Sequence, residues 1–108
     1  MIPPQSPAPH TPIPVEISRD LEDIAPIFLE NKRKDLRTLR IAVGTQDFVT
    51  LQTLGHRMKG DGGGYGFDQI SEIGARLEIA AKQENRPEAE HCVAELEDFL
   101  KRVSVHYR

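Results

Sequence analysis

Residues 54–66 read Leu54-Gly55-His56-Arg57-Met58-Lys59-Gly60-Asp61-Gly62-Gly63-Gly64-Tyr65-Gly66, and the fold turns on whether this stretch is helix or loop. Five glycines fall between Gly60 and Gly66, and each costs a helix roughly 1 kcal/mol relative to alanine. Propensity alone would break the chain at Gly60. The apolar phase argues the other way. Phe48, Leu51, Gly55, Met58, Gly62 and Tyr65 step by three and four, the spacing of one buried helical stripe. Glycine also lets two backbones pack closely or a partner approach closely. We therefore expect a continuous helix with a weak C-terminal half. Residues three and four apart on a helix are neighbours, so Lys59 and Gly60 lie beside His56, and Gln52 and Gly63 share that face.

On the N-terminal side, Ala25, Phe28, Leu29, Leu36, Leu39 and Val43 fall on one helical face, interrupted by Lys32. Pro26 suits the first turn of that helix, and Asp20 or Asp23 is positioned to cap it. Gly44 supplies a stop, and Thr45 or Asp47 a cap for the next helix. On the C-terminal side, Ile70, Ile73, Gly74, Leu77, Ala80 and Ala81 form a third stripe, expected to end near Asn85. Pro87 opens a fourth helix, with Glu88 and Glu90 near the positive end of its dipole. Its stripe is Ala89, Cys92, Val93, Leu96, Phe99, Leu100 and Val103. No segment is read as a strand, and there are no internal repeats. Four amphipathic helices with short connections predict an all-α fold, an antiparallel up-and-down four-helix bundle, over residues 18–108. Pro3, Pro4, Pro7, Pro9, Pro12 and Pro14 crowd into residues 1–17, which read as a disordered, flexible Pro-rich tail.

Composition narrows the function. A chain of 108 residues makes one domain, too small to carry a separate nucleotide-binding catalytic domain as well. A net charge of -3 shows no general nucleic-acid character. No apolar run approaches the roughly 20 residues of a membrane span, and the N-terminus lacks the regions of a signal peptide, so a cytoplasmic location is expected. Cys92 is the only cysteine, which excludes an internal disulfide.

The glycine cluster is neither a Walker loop, since Asp61-Gly62 follows Gly60 where a Lys and a hydroxyl residue are needed, nor a dinucleotide fingerprint, since no frame supplies its sixth-place glycine. His10, His56, His91 and His106 lack the paired spacing of a zinc site. Cys92 reads as a small core residue, and His91 as a rim residue. His56 differs from the other histidines because Lys59, Gly60 and Gly63 line its side. A cation beside an accessible imidazole, with little bulk around it, suits a histidine that is approached by another macromolecule and carries a negative group such as phosphate.

The pattern His56-x-x-Lys59-Gly60, with Gly66 ten positions after the histidine, resembles the signature of histidine-containing phosphotransfer (HPt) domains. Pro26-Ile27-Phe28-Leu29 resembles the family's first long helix, Gly44-Thr45-Gln46-Asp47 its turn before the active helix, and the segment from Phe67 to Glu78 its third helix. The likeness covers about residues 19–108, and the run Gly62-Gly63-Gly64 is richer in glycine than is usual for the family.

This resemblance implies a phosphorelay intermediate. His56 would accept a phosphoryl group from a receiver-domain aspartate and pass it to the receiver of another response regulator, with a hybrid histidine kinase upstream. Lys59 would lie beside the phosphoryl oxygens. Gly60 and Gly63 would leave room for the receiver, and Gln52 and Arg57 would contact it. The chain would need no cofactor or metal of its own, and magnesium would sit in the receiver. It would be a monomer that binds neither nucleic acid nor membrane, a phosphocarrier without ATP-dependent kinase activity. Phosphoryl transfer spreads charge over the equatorial oxygens, so alignment and one lysine charge are what such a domain supplies. An exposed imidazole titrates near about pH 6.5 and is largely neutral at pH 7, as a nucleophile must be. Which ring nitrogen attacks is left open by the sequence. The alternative is a non-catalytic helical module that binds receivers or other signalling proteins without carrying phosphate.

Overall fold

A computed structural model describes residues 11–108. In chain order they form strand β1 (Ile13–Ile17), a single 3-10 turn (Arg19–Leu21), helices α1 (Ala25–Thr45), α2 (Phe48–Gly64), α3 (Asp68–Lys82) and α4 (Arg86–Arg102), and strand β2 (Val103–Tyr107). The four helices make the expected antiparallel bundle, and α2 runs unbroken through Gly60, Gly62 and Gly63. The third-helix stripe is buried throughout, as is the fourth from Ala89 to Leu100.

Local chemistry explains the helix ends. Pro26 sits in the first turn of α1, whose cap position is Ile24 with no side-chain hydrogen bond. Neither Asp20 nor Asp23 caps it; Ser18 instead caps the short turn before it. The stop of α1 is Gln46, left-handed at φ 54°, while Gly44 remains within the helix. Asp47 caps α2 by accepting the Thr50 N–H at 3.1 Å. Glu84, at φ 52°, takes the left-handed position after α3. Asn85 caps α4, accepting the Glu88 N–H at 3.2 Å.

Glycines set the closest approach in the bundle. A Cβ built on Gly74 would stand 2.6 Å from the Lys59 N and 2.7 Å from the Gly55 O. One on Gly55 would stand 2.8 Å from the Glu78 N, and one on Gly62 2.5 Å from the Ser71 N. The α2 and α3 backbones are therefore in direct contact, and the Ser71 hydroxyl donates to the Lys59 carbonyl at 2.5 Å across the seam. Gly60 is unlike these three, with nothing within 4 Å of a Cβ placed on it. Gly60→Ala should therefore stabilise the fold by about 0.5–1 kcal/mol, read as a higher urea midpoint at unchanged slope. A lower midpoint would show that the added methyl meets something.

Lys32, the polar interruption in the first stripe, is buried. Its ammonium pairs with Asp35 at 3.0 Å and stands 5.2 Å from the centre of the Phe28 ring. Phe28 in turn stacks on Tyr65 at 4.5 Å and Phe67 at 5.4 Å, joining α1 to the α2–α3 corner.

The strands correct two expectations. Residues 1–10 of the expected tail lie outside the described residues, but Ile13–Ile17 is a strand, paired in parallel with Val103–Tyr107 from Ile13 opposite Val103 to Ile17 opposite Tyr107. Val103 therefore starts β2 and does not extend α4. Ile13, Val15 and Ile17 alternate inward, as do Val103, Val105 and Tyr107, and all pack on the bundle core. Parallel strands need a long crossover, and here the whole bundle provides it. Arg102 donates to the Thr11 carbonyl at 2.8 Å and Arg19 to the Arg108 carbonyl at 3.1 Å, holding both ends of the ladder.

Candidate functional site

The glycine seam decides what stands next to His56. Because α2 and α3 touch at Gly55 and Gly74, Glu78 on α3 is brought level with His56 and Lys59 on α2. The His56 Nδ1 lies 2.9 Å from Glu78 Oε2, with the histidine side chain 71% exposed and the glutamate 10%. Lys59 Nζ is 3.5 Å from Glu78 Oε1. Lys82 Nζ, in the last turn of α3, is 3.8 Å from Oε2.

Burial pushes the Glu78 carboxyl up, but the His56 hydrogen bond and the charges of Lys59 and Lys82 outweigh it, so it titrates below the ordinary 4.5. Glu78 is thus a carboxylate near neutral pH, and a carboxylate only accepts hydrogen bonds. The neutral imidazole must then carry its proton on Nδ1. That leaves the Nε2 lone pair on the exposed ring.

The expected neighbours fall into two groups. Gln52, half-buried, lies one turn before His56, and exposed Gly60 and Gly63 lie one and two turns after it. Gly60 is open, and a Cβ on Gly63 would meet only the Ser71 hydroxyl, at 4.0 Å. The side of the helix past His56 is therefore flat. Arg57 points elsewhere: it lines a groove against α1 with Phe28, Lys32 and Tyr65. The structure brings His56 and Lys59 together and leaves Arg57 apart from them.

The remaining histidines and the cysteine have separate settings. His91 pairs with Glu95 at 2.8 Å within α4, and Glu95 is also held by Arg76 through two hydrogen bonds of 2.9 and 2.5 Å. His106 is exposed on β2, 3.2 Å from the Ser104 hydroxyl. Cys92 is buried, which drives its thiol up to about 11, with Glu88 adding to the effect. His10 lies outside the described residues. Among the described residues, no group of three or more His, Cys, Asp or Glu side chains is arranged to hold a metal ion.

Fold and site together define a class: a small antiparallel helical bundle presenting to solvent an imidazole held by a carboxylate of the neighbouring helix, with a lysine on the same carboxylate. The Hpt domain family model matches residues 23–106, most of the chain, and the protein belongs to that family. No curated protein and no solved structure matches the chain at a significant level. Hpt domains act in histidine phosphotransfer within two-component phosphorelays, as phosphocarriers rather than kinases, and work with receiver domains and kinases. Among the described residues, no helix is long and apolar enough to cross a membrane.

Glu78 is the member of this cluster that residue-level reasoning did not single out. Its signal is faint but present: it stands one helical turn after Gly74, on the line that faces α2.

Proposed function

We propose that the protein is a phosphorelay intermediate whose His56 accepts a phosphoryl group from a receiver aspartate and donates it to the receiver of another response regulator. The observation that carries this reading is the His56 Nδ1–Glu78 hydrogen bond on a largely exposed ring. It fixes the tautomer with Nε2 free, and so supports Nε2 as the attacking atom.

In the transfer step, the Nε2 lone pair forms a bond to phosphorus as the bond from phosphorus to the aspartyl oxygen breaks. The receiver keeps its carboxylate, and the Nδ1 proton stays between the ring and Glu78. Lys59 turns from Glu78 Oε1 to the phosphoryl oxygens, where its charge is worth more in the transition state than in the resting protein. The acceptor carboxylate and the magnesium ion belong to the receiver. The open backbone at Gly60 and Gly63 gives the receiver a close approach, with Gln52 at the near edge and Arg57 reaching a receiver that extends over the α1 side. Such contacts are transient and fit a small interface. The proposal extends to a hybrid histidine kinase upstream, a cytoplasmic location and a monomeric carrier. A module that only binds receivers has no use for an imidazole held in one tautomer, which favours the carrier over the binding-only alternative.

The test is to mix the purified protein with a receiver carrying labelled phosphate. Label should pass to this chain in an acid-labile, alkali-stable linkage; no transfer from any receiver of the same cell would reject the carrier reading. Lys59→Ala should slow the transfer roughly tenfold to a hundredfold, with circular dichroism unchanged. Equal rates for the variant and the parent would show that the lysine charge is dispensable.

A further inference from the structure

One oxygen of Glu78 serves two helices at once. Oε2 accepts the His56 N–H at 2.9 Å and also faces Lys82 Nζ at 3.8 Å, while Lys59 takes Oε1 at 3.5 Å. The charged and titratable groups around this carboxylate are therefore His56 and Lys59 from α2 and Lys82 from its own helix. Among the described residues, α1 and α4 place no ion-pairing group on it.

We propose that Lys82 is a positioning residue for phosphoryl transfer: by sharing Glu78 Oε2 with His56, it limits how much of the carboxylate charge reaches the imidazole Nδ1. The proposal rests on the carrier reading above, but its central measurement does not.

The physical argument follows the charges through one cycle. In the resting protein, two ammonium groups share the Glu78 charge with the imidazole. When the phosphoryl group arrives on Nε2, its oxygens draw Lys59 away from Oε1. Lys82 cannot follow, because it is attached one turn beyond Glu78 on α3, so it remains the cation on the carboxylate. Without it, only Lys59 would share the Glu78 charge with the ring in the empty carrier, and no cation would share it once the phosphoryl group draws Lys59 away. The proton on Nδ1 would be held more tightly, and the imidazolium form would persist to higher pH. That form has no Nε2 lone pair, so the empty carrier would accept poorly. In the loaded carrier the same proton makes the imidazole a better leaving group, since the ring departs neutral when the bond from nitrogen to phosphorus breaks. Lys82 thus favours loading and restrains premature loss of the phosphoryl group to water.

The experiment is an NMR titration of the His56 ring protons in the unphosphorylated full chain. Lys82→Gln should move the His56 midpoint upward by roughly half a pH unit, the scale expected for one exposed charge, and Lys82→Arg should restore it. In a Glu78→Gln background, adding Lys82→Gln should move the midpoint much less, because the lysine then has no carboxylate to share. The acid limb of the phosphoryl-acceptance rate should move by the same amount as the midpoint, a response that a merely structural lysine would not give. An unmoved midpoint in Lys82→Gln overturns the proposal. So does an equal shift with and without Glu78, which would mean a direct effect of the lysine on the ring. The titration involves neither phosphate nor partner, so failure of label transfer rejects the carrier reading while leaving this coupling measurable by itself.

Discussion

His56→Gln should reduce labelling of this chain by a phosphorylated receiver to background, while His91→Gln and His106→Gln label like the parent. Glutamine keeps a polar side chain of similar reach, but the lone pair of its amide nitrogen is delocalised into the carbonyl and does not attack phosphorus. The loss should be chemical and not conformational. The His56 side chain is 71% exposed, so the substitution opens no cavity, and loss of its hydrogen bond to Glu78 should cost no more than about 1 kcal/mol. A urea titration run beside the transfer assay separates the two causes. Labelling that survives in His56→Gln would reject the site and direct attention to His91, the other described histidine paired with a carboxylate.

Gly74→Val should produce the largest loss of stability. The first added carbon would meet the Lys59 N at 2.6 Å, the Gly55 O at 2.7 Å and the Met58 Cβ at 2.7 Å. Two of these are backbone atoms in the middle of a helix and cannot swing aside, so α2 and α3 must separate. Overpacking of this kind costs about 3 kcal/mol or more, against a total of about 5–15 kcal/mol for an ordinary domain. The melting temperature should fall by roughly 10–20 °C. Separation of the helices also draws Glu78 away from His56, so acceptance should slow even in protein that remains folded. A Gly74→Val protein that melts with the parent would show that the seam is wider than the contacts here require. Gly60→Ala supplies the contrast, because it adds a methyl group on α2 at a point where a Cβ meets nothing within 4 Å.

Both substitutions bear on what could be read from the sequence. The helices were legible because their apolar residues recur at three and four, and the phase persisted through the glycines of α2. His56, Lys59, Gly60 and Gly63 were legible as one face because they share a single helix. Glu78 was harder to see because its role depends on the register of α3 against α2. That register is set by backbone contact at Gly55, Gly62 and Gly74, a tertiary fact that no single-helix pattern contains. The helix stops were misplaced for a related reason. Gln46 and Glu84 adopt left-handed backbone that glycine and asparagine accept more readily, so Gly44 and Asn85 looked like the natural ends. The strands were hidden by brevity and composition. Ile13-Pro14-Val15-Glu16-Ile17 alternates cleanly, but its proline and its proline-dense neighbourhood made it read as tail. Val103-Ser104-Val105-His106-Tyr107 alternates equally well, yet Val103 also continued the α4 stripe.

The pairing of β1 with β2 has a mechanical consequence. The strands run side by side in the same direction, with residue 13 at one end of the ladder and residue 107 at the other. A pull that drew those two residues apart would act along the strands and load the rungs together, in shear, instead of peeling them open one at a time. The bundle behind the ladder would stay slack until the rungs gave way, so tension along the chain would reach the β1–β2 ladder before it reached His56.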